Sequence, residues 1–380
     1  MLLGGSLHMD VKFSPVIANA TNFPEAVIRA TPGFGLTDIF PLWQPDTLKQ
    51  CTFTRNGRAA IGIAALQLMQ QGLTNTVLLP AYHCPALVEP FLWSGYQVKF
   101  YPVKTDLTVD LTLFQSLLTP DVTHCLLVRF FGFKQNIEQL IALGSAANKV
   151  IIEDCAHALN DFITGLQQPD PRIAARITSI NKMLPTIDGG LLYMHDQPTL
   201  QPQHCSWYEE LKGIAFLLRI SKLIRKVSRR KPDVLNVKAS TCSERSVYKY
   251  FQPSDLTSAS FRHTKQILRC SNLDVVKARR QANYLYLVHA LTDTTAGRCL
   301  YPAVGDEAPY VLPFLLRNEQ DFQRLRMQRI QVLRWEEIAA SDCLVSESYR
   351  SRLVQLPCHH KLKPADLDYI INAIHNLGEN

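Results

Sequence analysis

Between residues 59 and 154 the apolar positions fall into short blocks of two alternating kinds. Residues 59–69 are mostly small and aliphatic, including Ala59, Ala60, Ile63, Ala64 and Leu68, and predict a helix slim enough to lie close against a sheet. Short apolar runs at 76–79, 97–103, 124–128 and 149–152 predict strands, and helical patterns at 84–93, 111–118 and 137–147 separate them. Strands alternating with helices of this length imply parallel βαβ units with right-handed crossovers, which makes the chain an α/β protein with a doubly wound sheet. No GxGxxG follows any of these strands, so a dinucleotide-binding fold loses its support.

The flanks read differently. Residues 1–50 carry Pro15, Pro24, Pro32, Pro41 and Pro45 among aromatic residues, which disfavours long helices and predicts an extended arm packed on the body. From residue 261 a smaller C-terminal α+β domain is expected, with helices at 275–291 and 321–329, strands at 312–316 and 330–332, and a terminal helix at 364–377 between Pro364 and Gly378. The large domain then spans 51–260, and 200–260 is its least regular part. Within it, 211–231 interleaves Arg219, Lys222, Arg225, Lys226, Arg229, Arg230 and Lys231 with Leu217, Leu218, Ile220, Leu223, Ile224 and Val227. Such a basic amphipathic helix packs on its own protein or a dimer mate, or makes a weak contact with an anionic membrane surface.

Two dense stretches carry the candidate chemistry. Residues 149–157 end a β-branched run on Glu153, Asp154, Cys155, Ala156 and His157, which brings a carboxylate to the strand edge where open α/β sheets collect ligands. Alone, Asp154 reads as a turn or cap residue. Residues 178–190 hold Ser179, Lys182, Pro185, Asp188 and the pair Gly189-Gly190 before the apolar run 191–194, a strand, loop and strand around one amine. Upstream, Asn56-Gly57-Arg58 opens the 59–69 helix, and a helix start with free amides is a ready phosphate site.

Asp154-Cys155-Ala156-His157, Ser179-x-x-Lys182 and Pro185-x-x-Asp188-Gly189-Gly190 together resemble the signature of the DegT/StrS-type sugar aminotransferases. Gly57-Arg58-Ala59-Ala60, Leu79-Pro80-Ala81-Tyr82-His83-Cys84, Phe131-Gly132 and Arg279-Arg280-x-x-Asn283-Tyr284 extend the resemblance over roughly residues 50–375. The resemblance implies an aspartate aminotransferase fold of type I: a large domain with a mixed, mostly parallel sheet flanked by helices, plus the smaller C-terminal domain. It implies pyridoxal 5'-phosphate (PLP) as cofactor, with Lys182 forming the Schiff base and moving the proton, and Asp154 on the ring nitrogen. It further implies His157 beside the ring oxygen, Ser179 with Gly57 and Arg58 at the phosphate, and a flat side chain, Tyr82 or His83, stacked on the ring. Counting from Pro80, the position that is aromatic in the family falls nearer Cys84. Arg129 stands where relatives carry histidine, and it either touches substrate or pairs with an acid.

The resemblance also implies a homodimer that moves an amino group from glutamate to a keto-sugar nucleotide, for polysaccharide or secondary-metabolite synthesis. A PLP-dependent sugar dehydratase of the same fold is the alternative, and there histidine replaces the lysine, against which Lys182 argues. A non-catalytic regulator or membrane-surface assembly factor using 211–231 is the second alternative.

Composition changes this picture little. The 380 residues are 47% hydrophobic and 19% charged, an ordinary globular composition with no apolar run of membrane-spanning length. The start lacks a basic and apolar leader, and Met9 is a second candidate start. Ten cysteines without a CxxC pair suit reduced thiols in a cytoplasm rather than a disulfide framework or zinc site. His359-His360 lacks a carboxylate or cysteine at ligand spacing, so no metal is predicted. A net charge of +7 suits anionic substrates, and scattered surface lysine and arginine explain it without a nucleic-acid partner.

Overall fold

The computed structural model describes residues 11–17, 23–35, 38, 46–218 and 249–377. Seven strands form the principal sheet: β1 (Thr52–Thr54), β2 (Thr76–Pro80), β3 (Gln97–Tyr101), β4 (His124–Val128), β5 (Val150–Asp154), β6 (Ile173–Ser179) and β7 (Gly190–Met194). Their order across the sheet is β1-β7-β6-β5-β4-β2-β3. Strands β3 to β6 and β2 pair in parallel, whereas β7 runs antiparallel to both β6 and β1. Two antiparallel steps leave β1 pointing the same way as β6, so β1, β2, β4, β5 and β6 all deliver their C-terminal ends to one edge. That edge is where a doubly wound sheet opens a crevice for ligand.

Every residue of β2, β4 and β7 is buried, the signature of strands covered on both faces. The covering helices are α1 (Gly57–Leu68), α2 (Pro85–Trp93), α3 (Leu111–Leu117), α4 (Ile137–Ala146) and α5 (Leu159–Gly165), each bounded within a few residues of its sequence pattern where one was read. The face of α1 built from Ala59, Ala60, Ala64 and Ala65 is buried, and its small side chains let the helix approach the sheet closely. A single turn, α6 (Ile180–Met183), links β6 to the loop before β7.

Helix α7 (Trp207–Leu217) starts earlier than the 211–231 pattern suggested, because Ser206 and Glu209 form a reciprocal capping box. The basic stretch 219–231 lies outside the described residues. Beyond it come α8 (Arg262–Cys270), α9 (Leu273–Ala290), β8 (Gly297–Cys299), β9 (Val311–Leu316), α10 (Asp321–Met327), α11 (Leu344–Arg352), β10 (Leu353–Pro357) and α12 (Pro364–His375). Strands β10, β9 and β8 make a second, antiparallel sheet.

One expected strand is absent. Residues 330–332 make only an isolated bridge, Ile330 to Ile28, so the 330–332 segment serves as an anchor for the arm. The arm is tied again by a bridge from Phe13 to Ala339 and by the Arg29 carbonyl, 3.1 Å from His359 Nε2. Burial lowers the pKa of His359 to about 3, which keeps the ring neutral in this tether. No helix among the described residues is long and apolar enough to cross a membrane.

Candidate active site

A cavity of about 340 Å³ opens at the C-terminal edge of the principal sheet. It gathers side chains from five strand ends: Asn56, Gly57 and Arg58 after β1; His83 and Cys84 after β2; Val128 and Phe130 at and after β4; Asp154, Ala156 and His157 at and after β5; Ser179 and Lys182 after β6. Tyr310 and Trp335 close it from the C-terminal half, and Thr31 reaches it from the arm. Of the eight residues expected from sequence, seven therefore line one cavity. Tyr82 is the exception.

Asp154 ends β5 with its carboxylate buried, and its Oδ1 accepts the Ala156 N–H at 2.7 Å. Burial raises its pKa above the ordinary value, while the Lys182 ammonium pulls the other way. The reciprocal holds for Lys182, whose pKa burial lowers and Asp154 partly restores. An amine so balanced exchanges its proton more readily than a solvated lysine. Its Nζ sits 5.9 Å from the centre of the Tyr310 ring.

His157 is fixed on several sides. The Phe131 N–H donates to its Nδ1 at 3.1 Å, which leaves the hydrogen of the neutral ring on Nε2. Its imidazole lies nearly parallel to Phe131, Tyr310 and Trp335, with centroids 5.6, 4.7 and 5.6 Å away. Burial, then the nearby Lys182, pushes its pKa well below 6.5, so the ring is neutral.

Across the cavity, α1 begins beside Ser179. The Asn56 side chain caps the helix by accepting the Ala59 N–H at 3.0 Å, leaving Gly57 and Arg58 as the first helical amides, which have no acceptor within the helix. A Cβ at Gly57 would stand 3.4 Å from Ser179 Oγ, so the glycine brings the helix start against that hydroxyl. Amides, hydroxyl and Arg58 together form a donor set for an anion.

The two candidate stacking residues are engaged elsewhere. Tyr82 is fully buried in an aromatic cluster, its ring 4.9 Å from Trp335, and does not line the cavity. His83 reaches the lining, but its ring lies flat on Phe100 at 5.1 Å and both nitrogens are committed, Nδ1 to the Pro80 carbonyl and Nε2 to the Ala339 N–H. Burial lowers its pKa to about 4. Cys84, to which the spacing from Pro80 also pointed, does line the cavity, and burial raises its thiol pKa.

Arg129 pairs with an acid: its Nε stands 2.6 Å from Glu153 Oε1, beneath the sheet from Asp154. Asp188 shapes the loop, accepting from Phe261 N–H and from Thr264 and Arg55. Among the described residues no group of three or more His, Cys, Asp and Glu side chains is disposed to hold a metal ion. Sequence reasoning missed both Tyr310 and Trp335 as walls. No local pattern marks either as part of the site.

A partly buried lysine and a buried carboxylate share one cavity with a helix-start anion site, and these are the groups that PLP requires. Residues 47–202 match the family model for the DegT/DnrJ/EryC1/StrS aminotransferase family, and this segment contains Lys182, Asp154 and every other sequence-predicted residue of the site. The site-bearing segment belongs to that family, and the protein is accordingly a PLP-dependent aminotransferase. No curated protein matches the chain by sequence.

Solved structures with the same fold are numerous. An aminotransferase from Helicobacter pylori, PseC, involved in the biosynthesis of pseudoaminic acid, superposes with a TM-score of 0.63 at 15% identity, covering 94% of this chain and 99% of its own. The sugar aminotransferase CalS13 from Micromonospora echinospora gives 0.58 at 14%, covering 93% and 100%. A putative sugar aminotransferase from Streptococcus pneumoniae, solved in its PMP form, gives 0.62 at 14%, covering 94% and 99%. At these identities the likeness establishes the fold, mixed and mostly parallel as expected.

Proposed function

We propose that the protein transfers an amino group from glutamate to a keto-sugar carried on a nucleotide, working as a homodimer. The reading rests on one observation above all: Lys182 and Asp154 line the same cavity, where the charge of each offsets the shift that burial imposes on the other. The neighbours of like fold that act in sugar metabolism support the substrate class.

In this reading Lys182 supplies the amine that anchors the cofactor's aldehyde. Asp154 accepts the ring N–H, and its negative charge keeps that nitrogen protonated. The Gly57 and Arg58 amides, the Arg58 guanidinium and Ser179 Oγ bind the phosphate. His157, held neutral and flat by Phe131 N–H and the aromatic rings, would have its Nε2–H to offer the ring oxygen. When bound, PLP supplies an electron sink for the pair left on a substrate carbon as its proton departs. The Lys182 amine would take that proton as a base and return it as an acid, a role for which its lowered pKa suits it. Tyr310 and Trp335, which wall the cavity, would help keep water from a bound ring.

Purified protein loaded with PLP is given L-glutamate and a panel of nucleotide-linked keto-sugars, and 2-oxoglutarate is measured. Multiple turnovers with at least one acceptor are expected. If 2-oxoglutarate never exceeds the amount of bound PLP with any acceptor of this kind, the keto-sugar nucleotide assignment fails.

A further inference from the structure

Arg280 is fully buried on α9, and no carboxylate accompanies it among the described residues. Its guanidinium instead donates to four carbonyl oxygens. Nη1 reaches Tyr310 O at 2.7 Å and Pro309 O at 3.2 Å, and Nη2 reaches Met183 O at 3.0 Å and Lys182 O at 3.4 Å. Its Nε finds no partner among the described residues. A buried guanidinium without a counter-ion is costly, so this arrangement is poorly explained as a contribution to stability alone.

The four acceptors explain it better. Helix α6 is a single turn, closed by Leu184 N–H on the Ile180 carbonyl, and its last carbonyls, those of Lys182 and Met183, have no helical donor. A cation at a helix C-terminus satisfies such carbonyls and complements their partial negative charge. The same planar fork holds the Pro309-Tyr310 backbone, and the Tyr310 ring faces both Lys182 Nζ and His157. The Tyr310 N–H is in turn bonded to Phe131 O at 2.8 Å.

We propose that Arg280 is a positioning residue for Lys182, clamping the turn that carries the amine to the segment that carries the Tyr310 wall. The clamp fixes where the amine stands relative to Asp154 and the ring cavity. A lysine at 280 has one point of charge and cannot bridge both pairs of carbonyls in plane. This inference rests on the reading of Lys182 as the anchoring amine, and its test is partly independent of that reading.

Arg280→Lys and Arg280→Gln are compared with wild type and with Tyr284→Phe. The last removes a partly buried hydrogen bond to Tyr301 O from the same helix without touching the lysine turn. In cofactor-free protein, acylation of Lys182 is followed by mass spectrometry across pH. In the loaded enzyme, kcat and KM are measured per folded molecule. The clamp predicts that both Arg280 variants move the midpoint of Lys182 acylation upward, towards an ordinary lysine. It also predicts a fall in kcat of about 10- to 100-fold with KM changed far less, the scale expected of a misplacement of about 1 Å. Tyr284→Phe leaves midpoint and kcat at wild-type values. If an Arg280 variant lowers the melting temperature while midpoint and kcat stay at wild type, Arg280 is a core brace and the proposal is wrong. Should Arg280→Lys fail to fold, Arg280→Gln carries the same two readouts. Should wild type take up no PLP, the acylation midpoint still decides the claim about Arg280 while the proposed function falls.

Discussion

Gly132 joins the turn after β4 to the far wall of the cavity, and replacing it with alanine probes that seam. Its φ of +87° is left-handed backbone, and a Cβ there would stand 2.5 Å from Ala308 O, 2.9 Å from His157 O and 3.2 Å from Tyr310 N. The conformation alone costs an alanine about 1 kcal/mol. The first two contacts are with backbone and closer than carbon and oxygen tolerate, so the 308–310 segment must retreat. The Tyr310 N–H bond to Phe131 O is then lost, at about 1 kcal/mol, and repacking around the buried rings adds a similar amount. The expected total is about 3 kcal/mol. Gly72 supplies the control: its φ is +76° and nothing lies within 4 Å of its would-be Cβ, so Gly72→Ala incurs only the backbone cost of about 1 kcal/mol. Urea denaturation of both variants measures the difference. Because His157 and Tyr310 flank the site, Gly132→Ala should also lower kcat about tenfold, whereas Gly72→Ala leaves it unchanged. Equal stability losses in the two variants, with activity intact in both, would refute the seam as the determinant of the wall.

Two further perturbations address the charges. Asp154→Asn should reduce kcat about 1000-fold, equivalent to about 4 kcal/mol, since a neutral amide does not hold the ring nitrogen protonated; in cofactor-free protein it should lower the Lys182 pKa further, because the carboxylate's attraction raises it. Proton titration of Lys182 by pH-dependent acylation reads the second effect directly, and an upward shift would contradict it. His83 concerns stability: its folded pKa of about 4 lies below the unfolded 6.5, so between those values the unfolded chain binds more protons and stability falls as pH is lowered. The shift corresponds to about 3 kcal/mol, fully felt below pH 4 and absent above 6.5. His83→Gln, which has no titrating ring, should flatten the urea-measured stability curve in that window by up to about 1.4 kcal/mol per pH unit. An unchanged slope would mean that His83 does not carry the acid sensitivity.

The sheet was legible in sequence because its strands are covered on both faces. Val77–Leu79 and Cys125–Val128 read as unbroken apolar runs inside β2 and β4, and helical patterns separate them. The lysine turn was legible through chemistry, since an amine between a polar lead-in and Gly189-Gly190 needs a tight return into β7. A Cβ on Gly190 would meet the Asn56 backbone at 2.5 Å, which brings the loop against the start of α1. Short elements escaped: β1 and β8 have three residues each, too few for a period of two to register. The start of α7 was written in Ser206 and Glu209, but Trp207 and Phe216 are 76% and 70% exposed, so its apolar residues do not mark a buried face.

The aromatic wall was illegible for a different reason. Tyr82 stands next to the right loop position, yet Trp335, Phe130 and Tyr349 recruit its ring into the core, and His83 is pinned by backbone from Pro80 and Ala339. Tyr310 and Trp335 lie well over a hundred residues beyond Lys182, and only tertiary packing brings them to it. Arg280 was visible as part of a motif, but its meeting with the Lys182 carbonyl depends on the same packing.

The central claim is that Lys182 is the anchoring amine of a working transaminase site. Its most direct test is the visible absorption of purified wild type and Lys182→Ala, each titrated with PLP and then with L-glutamate. Wild type should show a visible band that glutamate bleaches as 2-oxoglutarate appears in equal amount, and Lys182→Ala should show no such lysine-dependent band. A band of equal strength in both proteins would show that the cofactor is anchored elsewhere and that Lys182 is not the anchoring amine.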